Sequence, residues 1–68
     1  MISLTIEVEQ EEGGRWIAEV MELPGVMVYG RSPEEATRKA KSLALQVLAD
    51  QIAASERDDL DSISFTAA

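Results

Sequence analysis

Length, composition and charge already restrict what this protein can do. The chain has 68 residues, enough for one domain, and its 13 acidic and 6 basic side chains leave a net charge of −7. It has no Cys and no His, which excludes disulfides and removes the usual zinc ligands, and the acidic excess disfavours direct binding to nucleic acid.

Chains of this size usually gain stability from disulfides, a metal or oligomerisation. A domain this short buries a limited share of its surface, and without disulfides or zinc the remaining support is oligomerisation or a tight partner. The acidic balance suits a basic partner, although acidity also serves solubility. No segment is long and apolar enough to cross a membrane, and the first residues lack a secretory signal. We therefore expect a single cytoplasmic domain over residues 1–68.

Three segments near the N-terminus predict a β-meander. Residues 2–9 and 15–21 alternate apolar and polar side chains, which is typical of strands with one buried face. The polar loop 10–14 between them ends in two glycines and has the length of a hairpin loop. After a Leu-Pro-Gly turn at 23–25, residues 26–30 are long enough for a third strand.

Side-chain alternation also predicts how the first two strands pair. Pairing Val8 with Trp16 places all even-numbered residues on one face, and Ile6 then lies opposite Ala18. Trp16 is expected to pack inward in this register. A slip of one residue would put Glu19 opposite Ile6 on the buried face, so we exclude it.

A capped helix is predicted after the meander. Ser32 is a favourable N-cap, Pro33 suits the first helical position, and Glu35 completes a capping box. No Gly or Pro interrupts the sequence from there to about Ala54, where we expect the helix to end.

The helix carries two apolar stripes at about 3.6 residues per turn. The first is expected to pack on the sheet and consists of Ala36, Ala40, Leu43 and Val47, with Ala44 beside it. The second lies in the C-terminal half and consists of Leu45, Leu48 and Ile52. A helix on a sheet buries one stripe, so the second needs cover from the C-terminal segment or from another chain. The predicted oligomer interface comprises Leu45, Leu48, Ile52, Tyr29 and Phe65.

The C-terminal part completes an α+β fold. Residues 55–61 are polar and predict a loop, and residues 62–66 alternate as a short fourth strand with Ile63 and Phe65 facing inward. The predicted order is β-β-β-α-β: a three-stranded antiparallel meander, one long helix on one face, and a short C-terminal strand. Whether that strand pairs within its own chain or with a neighbour stays open. The face away from the helix is either a docking surface or ordinary exposed strand surface.

The central residues resemble a known family. Segments 14–20 (GRWIAEV), 22–26 (ELPGV), 29–30 (YG) and 32–36 (SPEEA) are similar to the N-terminal domain of HicB-like antitoxins, and the resemblance covers about residues 5–48. It implies a partial RNase H-like fold and a type II antitoxin that binds and masks HicA, a small basic toxin that cleaves mRNA. Many members of that family carry a further C-terminal DNA-binding domain, for which we find no counterpart in residues 1–68.

The resemblance and the charge together predict a partner and a contact surface. We expect a basic HicA-like toxin as partner, a homodimer or higher homo-oligomer, and no cofactor, metal, membrane or direct nucleic-acid contact. The side chains expected to meet the toxin are the acidic ones on the hairpin and its exposed face: Glu7, Glu9, Glu11, Glu12, Glu19 and Glu22. The alternative is a solitary, self-associating binding module without a toxin.

Catalysis is the least favoured function. An RNase H-like nuclease needs several carboxylates that converge on a pair of Mg²⁺ ions. The available carboxylates are spread along the chain, at Glu7, Glu9, Asp50, Asp58, Asp59 and Asp61, and Glu7 is predicted on the face away from the helix. Nucleophilic catalysis lacks Cys and His, and Ser32 is interpreted as a helix cap. The basic residues Arg38, Lys39 and Lys41 are interpreted as a solvated helix face paired with Glu34 and Glu35.

Overall fold

One helix lies across one face of a four-stranded sheet in the computed structural model, which describes residues 1–58 and 60–68. The elements in chain order are β1 (Ile2–Gln10), β2 (Trp16–Val20), β3 (Met27–Gly30), α1 (Pro33–Ala53) and β4 (Ile63–Ala67). The sheet order is β3-β2-β1-β4, with β1, β2 and β3 antiparallel and β4 parallel to β1. The predicted α+β fold, including the meander, is confirmed.

The β1–β2 register differs by two residues from the predicted one. Val8 pairs with Ala18, not with Trp16, and Gln10 pairs with Trp16. The loop now covers residues 11–15 and still contains Gly13 and Gly14, whose φ values of 100° and 98° are ones that other residues rarely adopt. Because the shift is an even number of residues, the even-numbered side chains still lie on the buried face, as predicted.

The N-terminus of α1 is capped as its sequence predicts. Ser32 Oγ accepts a hydrogen bond from Glu35 N at 3.0 Å. The Glu35 carboxylate reaches back to Arg31 N at 3.1 Å, one residue further than in a capping box on Ser32. Both bonds satisfy backbone donors that have no partner inside the helix. The helix ends at Ala53, one residue before the predicted end.

The buried face of α1 is a row of residues spaced four apart: Ala36, Ala40, Ala44 and Leu48. Leu43 and Val47, which the sequence assigns to the first stripe, are partly buried beside this row. The assignment of Leu48 to an oligomer interface is wrong, because its side chain is 1% exposed in the core. Residues spaced four apart shift by about 40° around the helix axis at each step. By its last member, Leu48, the buried row has therefore moved round the helix to the side that the sequence assigns to the second stripe.

β4 pairs with β1 of its own chain. Ile63 lies opposite Ile2 and Phe65 opposite Leu4. Both β4 side chains are partly buried and pack against the core, so the predicted inward orientation is confirmed. Within residues 1–58 and 60–68, no helix has the length and apolarity that crossing a membrane would require.

Candidate protein-binding surface

The face of the sheet opposite α1 is not covered by the described residues and is called the open face below. On β1, β2 and β3 it carries the odd-numbered side chains, which the register places in rows across the strands. One row joins Glu9, Ile17 and Tyr29, and the next joins Glu7, Glu19 and Met27. The open face therefore combines carboxylates on β1 with large apolar side chains on β3.

Two carboxylates of the open face lie directly opposite each other. Glu7 pairs with Glu19 across the antiparallel β1–β2 ladder, and both side chains are exposed. Like charges at directly opposed positions destabilise a sheet. The ion pairs in the described part of the chain are Arg15–Glu11 and Lys39–Glu35, and neither of them includes Glu7 or Glu19. An added cation above Glu7 and Glu19 would relieve the repulsion.

An arginine and a tyrosine border the carboxylates. The Arg15 guanidinium lies 4.2 Å from the centre of the Tyr29 ring and 3.1 Å from Glu11 Oε1. Glu11 is therefore neutralised within the chain, whereas Glu12 is exposed in the hairpin turn. Met27 is 48% exposed. The sequence gives no direct signal for the Arg15–Tyr29 contact, because it depends on how β2 and β3 pair.

Glu22, the last of the predicted contact residues, is used inside the subunit. Thr5 N donates to Glu22 Oε1 at 2.7 Å, and Thr5 Oγ1 donates to Oε2 at 2.8 Å. β2 has already ended at Val20, so the carboxylate supplies an acceptor that the strand no longer offers. The hydrogen bond from the Thr5 backbone N–H is the main cause that lowers the pKa of Glu22 below its ordinary value of 4.5, and the bond from the Thr5 hydroxyl lowers it further.

The lowered pKa of Glu22 predicts a pH-dependent contribution to stability. Because the folded pKa lies below the unfolded one, the stabilisation is complete above the ordinary value and is lost as the pH falls through the folded value. The substitution Glu22→Gln should therefore lower the urea midpoint at neutral pH, and the difference from wild type should shrink at acidic pH. Glu12→Gln, a charge loss in the exposed turn, is the control. A Glu22→Gln difference that does not change with pH would contradict the assignment.

The five residues predicted as an oligomer interface do not form one surface. Leu45 and Ile52 lie on the outer side of α1 and are 46% and 50% exposed. Tyr29 lies on the open face, on the opposite side of the sheet, and Leu48 is in the core. Phe65 is partly buried at the β4 edge, with Lys41 Nζ 5.7 Å from its ring centre. Of the five, Leu45 and Ile52 remain together as an exposed apolar pair.

The other charged residues that the structure describes do not cluster into a metal-binding site. Among the described residues, no group of three or more acidic side chains is arranged to hold a metal ion. Asp59, one of the carboxylates considered for a nuclease, lies outside the described residues. On α1 the expected Glu35–Lys39 pair forms at 3.4 Å, while no ion pair joins Glu34 to Arg38 within the described residues.

The comparisons with known proteins return no relative. No protein-family model matches the chain, and neither a curated protein nor a solved structure matches it. A function for this chain is therefore inferred from its residues and its fold.

Proposed function

We propose that this chain is a HicB-like antitoxin domain: a cytoplasmic protein that binds a small basic RNA-cleaving toxin of the HicA type and masks its surface without any catalysis of its own. The strand order β3-β2-β1-β4 with one helix on one face is compatible with the partial RNase H-like fold that the resemblance implies. The residues that carry the resemblance span the hairpin, the Leu-Pro-Gly turn and the capped start of α1.

The single observation that carries the proposal is the Glu7–Glu19 pair on the open face. Two exposed carboxylates held opposite each other weaken the free protein, and a bound Lys or Arg side chain would offset that repulsion. The neighbouring Glu9 adds a third carboxylate on the same face of β1. A basic partner thus gains from this face an attraction that a neutral partner does not.

Apolar side chains beside the carboxylates supply the other component of a docking surface. Ile17 lies opposite Tyr29, and Met27 lies next to Glu19 across the β2–β3 ladder. Protein interfaces combine an apolar, aromatic and Met-containing centre with a polar rim. The apolar side chains would supply binding energy, while the carboxylates would speed the encounter and select a basic partner. We therefore place the toxin contact at Glu7, Glu9 and Glu19, with Glu12 at the end of the hairpin.

A solitary, self-associating module is the second candidate. Leu45 and Ile52 are half exposed on α1 and offer apolar surface to a second copy. This candidate requires no basic toxin and predicts no special role for the open-face carboxylates. The two candidates are therefore separated by what happens when those carboxylates are neutralised.

The test compares two double variants with the same net charge. Glu7→Gln/Glu19→Gln removes the opposed pair, and Glu34→Gln/Glu56→Gln removes two exposed carboxylates elsewhere. With a basic toxin encoded beside this chain as the partner, the first variant should slow association about tenfold at low salt and lose most of its salt dependence. The second should stay close to wild type. Association rates at several salt concentrations provide the measurement.

The same pair of variants makes an independent prediction for the free protein. Relief of like-charge repulsion should make Glu7→Gln/Glu19→Gln more stable than wild type, by about 0.5 kcal/mol. A neutralised open face that binds the toxin at the wild-type rate would refute the proposed surface. A wild-type chain that neither binds the toxin nor rescues toxin-arrested growth would refute the antitoxin function.

A further inference from the structure

The outer edge of β4 presents backbone groups that lack strand partners. On its inner side, Ala68 N donates to Ile6 O at 2.9 Å, so the even-numbered residues of β4 direct their backbone groups toward β1. Backbone N–H and C=O groups of successive residues point to opposite sides of a strand. The residues that direct theirs away from β1 are therefore Ile63, Phe65 and Ala67. Because β4 is the last strand in the sheet order, no described strand meets them.

The two edges of the sheet differ in their protection. At the β3 edge, the strand has four residues and Lys39 Nζ lies 3.5 Å from Tyr29 O, so a lysine covers one of the outward carbonyls. The β4 edge has five residues, Ile63–Ala67, without a charged side chain or a proline of its own. Lys41 Nζ from α1 lies 5.7 Å from the Phe65 ring centre, over the side chain, whereas Lys39 at the β3 edge reaches a backbone carbonyl. Natural edge strands avoid pairing with other chains by means of Lys, Pro, bulges or short length. The β4 strand contains neither Lys nor Pro, so its outer edge is the one that is open to pairing.

We propose that β4 pairs antiparallel with β4 of a second copy and joins two four-stranded sheets into one. The pairing is centred on Phe65, which lies opposite Phe65 of the second copy. Ile63 then lies opposite Ala67, and Ser64 lies opposite Thr66. This register uses every outward backbone group of the strand, and its twofold axis closes the assembly at a dimer.

A second copy fits this edge chemically. The net charge of the chain is −7, yet β4 itself carries no carboxylate, so its pairing with an identical strand places no acid directly against another. The two Phe65 side chains become direct neighbours on the helix side of the sheet, and aromatic pairs across strands are stabilising. On the open face, the hydroxyls of Ser64 and Thr66 meet and can share a hydrogen bond.

A small cavity lies beside the β4 edge. It has a volume of about 110 Å³ and lies between α1 and the sheet, lined by Ile6, Val8, Thr37, Lys41, Phe65, Thr66 and Ala67. In the proposed pairing, Ile63 of the second copy lies opposite Ala67 and on the same face as the cavity. An apolar side chain next to this space would bury surface that a lone subunit leaves open.

The first test removes one outward N–H and leaves the inner ladder intact. Ala67 directs its N–H outward, so Ala67→Pro removes a donor from the proposed interface while Ala68 N still donates to Ile6 O. Ala67→Ser keeps the N–H and is the matched control. Light scattering should show a dimer for wild type and Ala67→Ser, and dissociation of Ala67→Pro at a concentration at least about tenfold higher. Circular dichroism verifies that each variant is folded.

The second test reads the register directly. Ser64→Cys/Thr66→Cys places thiols at directly opposed positions of the two chains, and mild oxidation should form a covalent dimer. Ser64→Cys alone has no opposed thiol in this register and should stay uncrosslinked. The chain has no natural Cys, so any crosslink comes from the introduced residues. This test also decides the case in which Ala67→Pro fails to fold.

Three results would overturn the proposal: a monomeric wild type at high micromolar concentration, an Ala67→Pro dimer as tight as wild type, or a crosslink by Ser64→Cys alone. The proposal does not rest on the antitoxin function, because the tests use the chain without any toxin. Conversely, the neutralisation of Glu7 and Glu19 leaves β4 unchanged, so the two proposals fail separately.

Discussion

The substitution Gly30→Ala is expected to destabilise the fold by about 2–3 kcal/mol. A Cβ atom on Gly30 would lie 2.6 Å from Ala36 N, 2.9 Å from Ala36 Cα and 3.1 Å from Ala36 Cβ. Two of these atoms belong to the backbone in the first turn of α1, so relief requires moving the helix off β3. The helix start is held by the Ser32 cap and cannot shift without loss of that bond.

Gly25→Ala is the matched control for this prediction. Gly25 has a φ of 89° and open space around its Cβ position, so Ala there meets backbone strain without a clash. That strain costs about 1–2 kcal/mol. Urea denaturation should rank Gly30→Ala as more destabilising than Gly25→Ala. The reverse order would show that α1 does not pack on β3 as closely as described.

For a chain of this size, the Gly30→Ala effect is a large part of the total stability. Native domains are stable by roughly 0.05–0.15 kcal/mol per residue, which gives about 3–10 kcal/mol here. A fraction of the Gly30→Ala protein should therefore be unfolded at room temperature if the wild type lies near the lower value. Its thermal midpoint should fall by about 8 °C or more.

Leu48→Ala is expected to cost about 2–5 kcal/mol, the range for a buried leucine whose removal leaves a cavity. Leu48 is among the largest fully buried side chains, at the end of the helix row that packs on the sheet. Leu48→Glu should abolish folding, because it would bury a carboxylate without a partner. Both effects follow from the core and do not depend on protein concentration.

Leu45→Glu and Ile52→Glu provide the contrast within the same helix. Both side chains are about half exposed, so each substitution should change the free energy of unfolding by no more than about 0.5 kcal/mol. Circular dichroism during thermal unfolding, repeated at two protein concentrations, separates a loss of core packing, which does not depend on concentration, from a loss of subunit association, which does. A folded Leu48→Glu variant that merely dissociates would contradict the core position of Leu48.

The strands, the helix and their caps could be read from local patterns. Alternation along β1 predicted a strand with one buried face, and the Ser32-Pro33 start of α1 predicted its first turn. These signals depend on neighbours in the sequence, which are the same in the folded and unfolded chain. The buried face of the helix was predicted only in part, because the way α1 packs on the sheet decides that the buried row ends at Leu48.

The candidate site depended on pairing between strands and was less predictable. In the predicted register, Glu9 would have faced Arg15, an attractive pair. In the observed register, Glu7 faces Glu19, and Arg15 lies over Tyr29 instead. A shift of two residues preserves which side chains are buried, so the hydrophobic pattern cannot distinguish the two registers. The observed register is therefore known only from the pairing of the strands in the structure.

By itself the sequence determined which segments form strands and helix, which strand face is buried, and where the helix begins, because each follows from residue periodicity and capping chemistry. Only the tertiary structure decided which carboxylates oppose each other, that Glu22 bonds to Thr5, and that β4 leaves its outer edge unpaired. These features join residues that are distant in sequence. Their geometry is set by loop conformation and sheet order, which residue spacing along the chain does not encode.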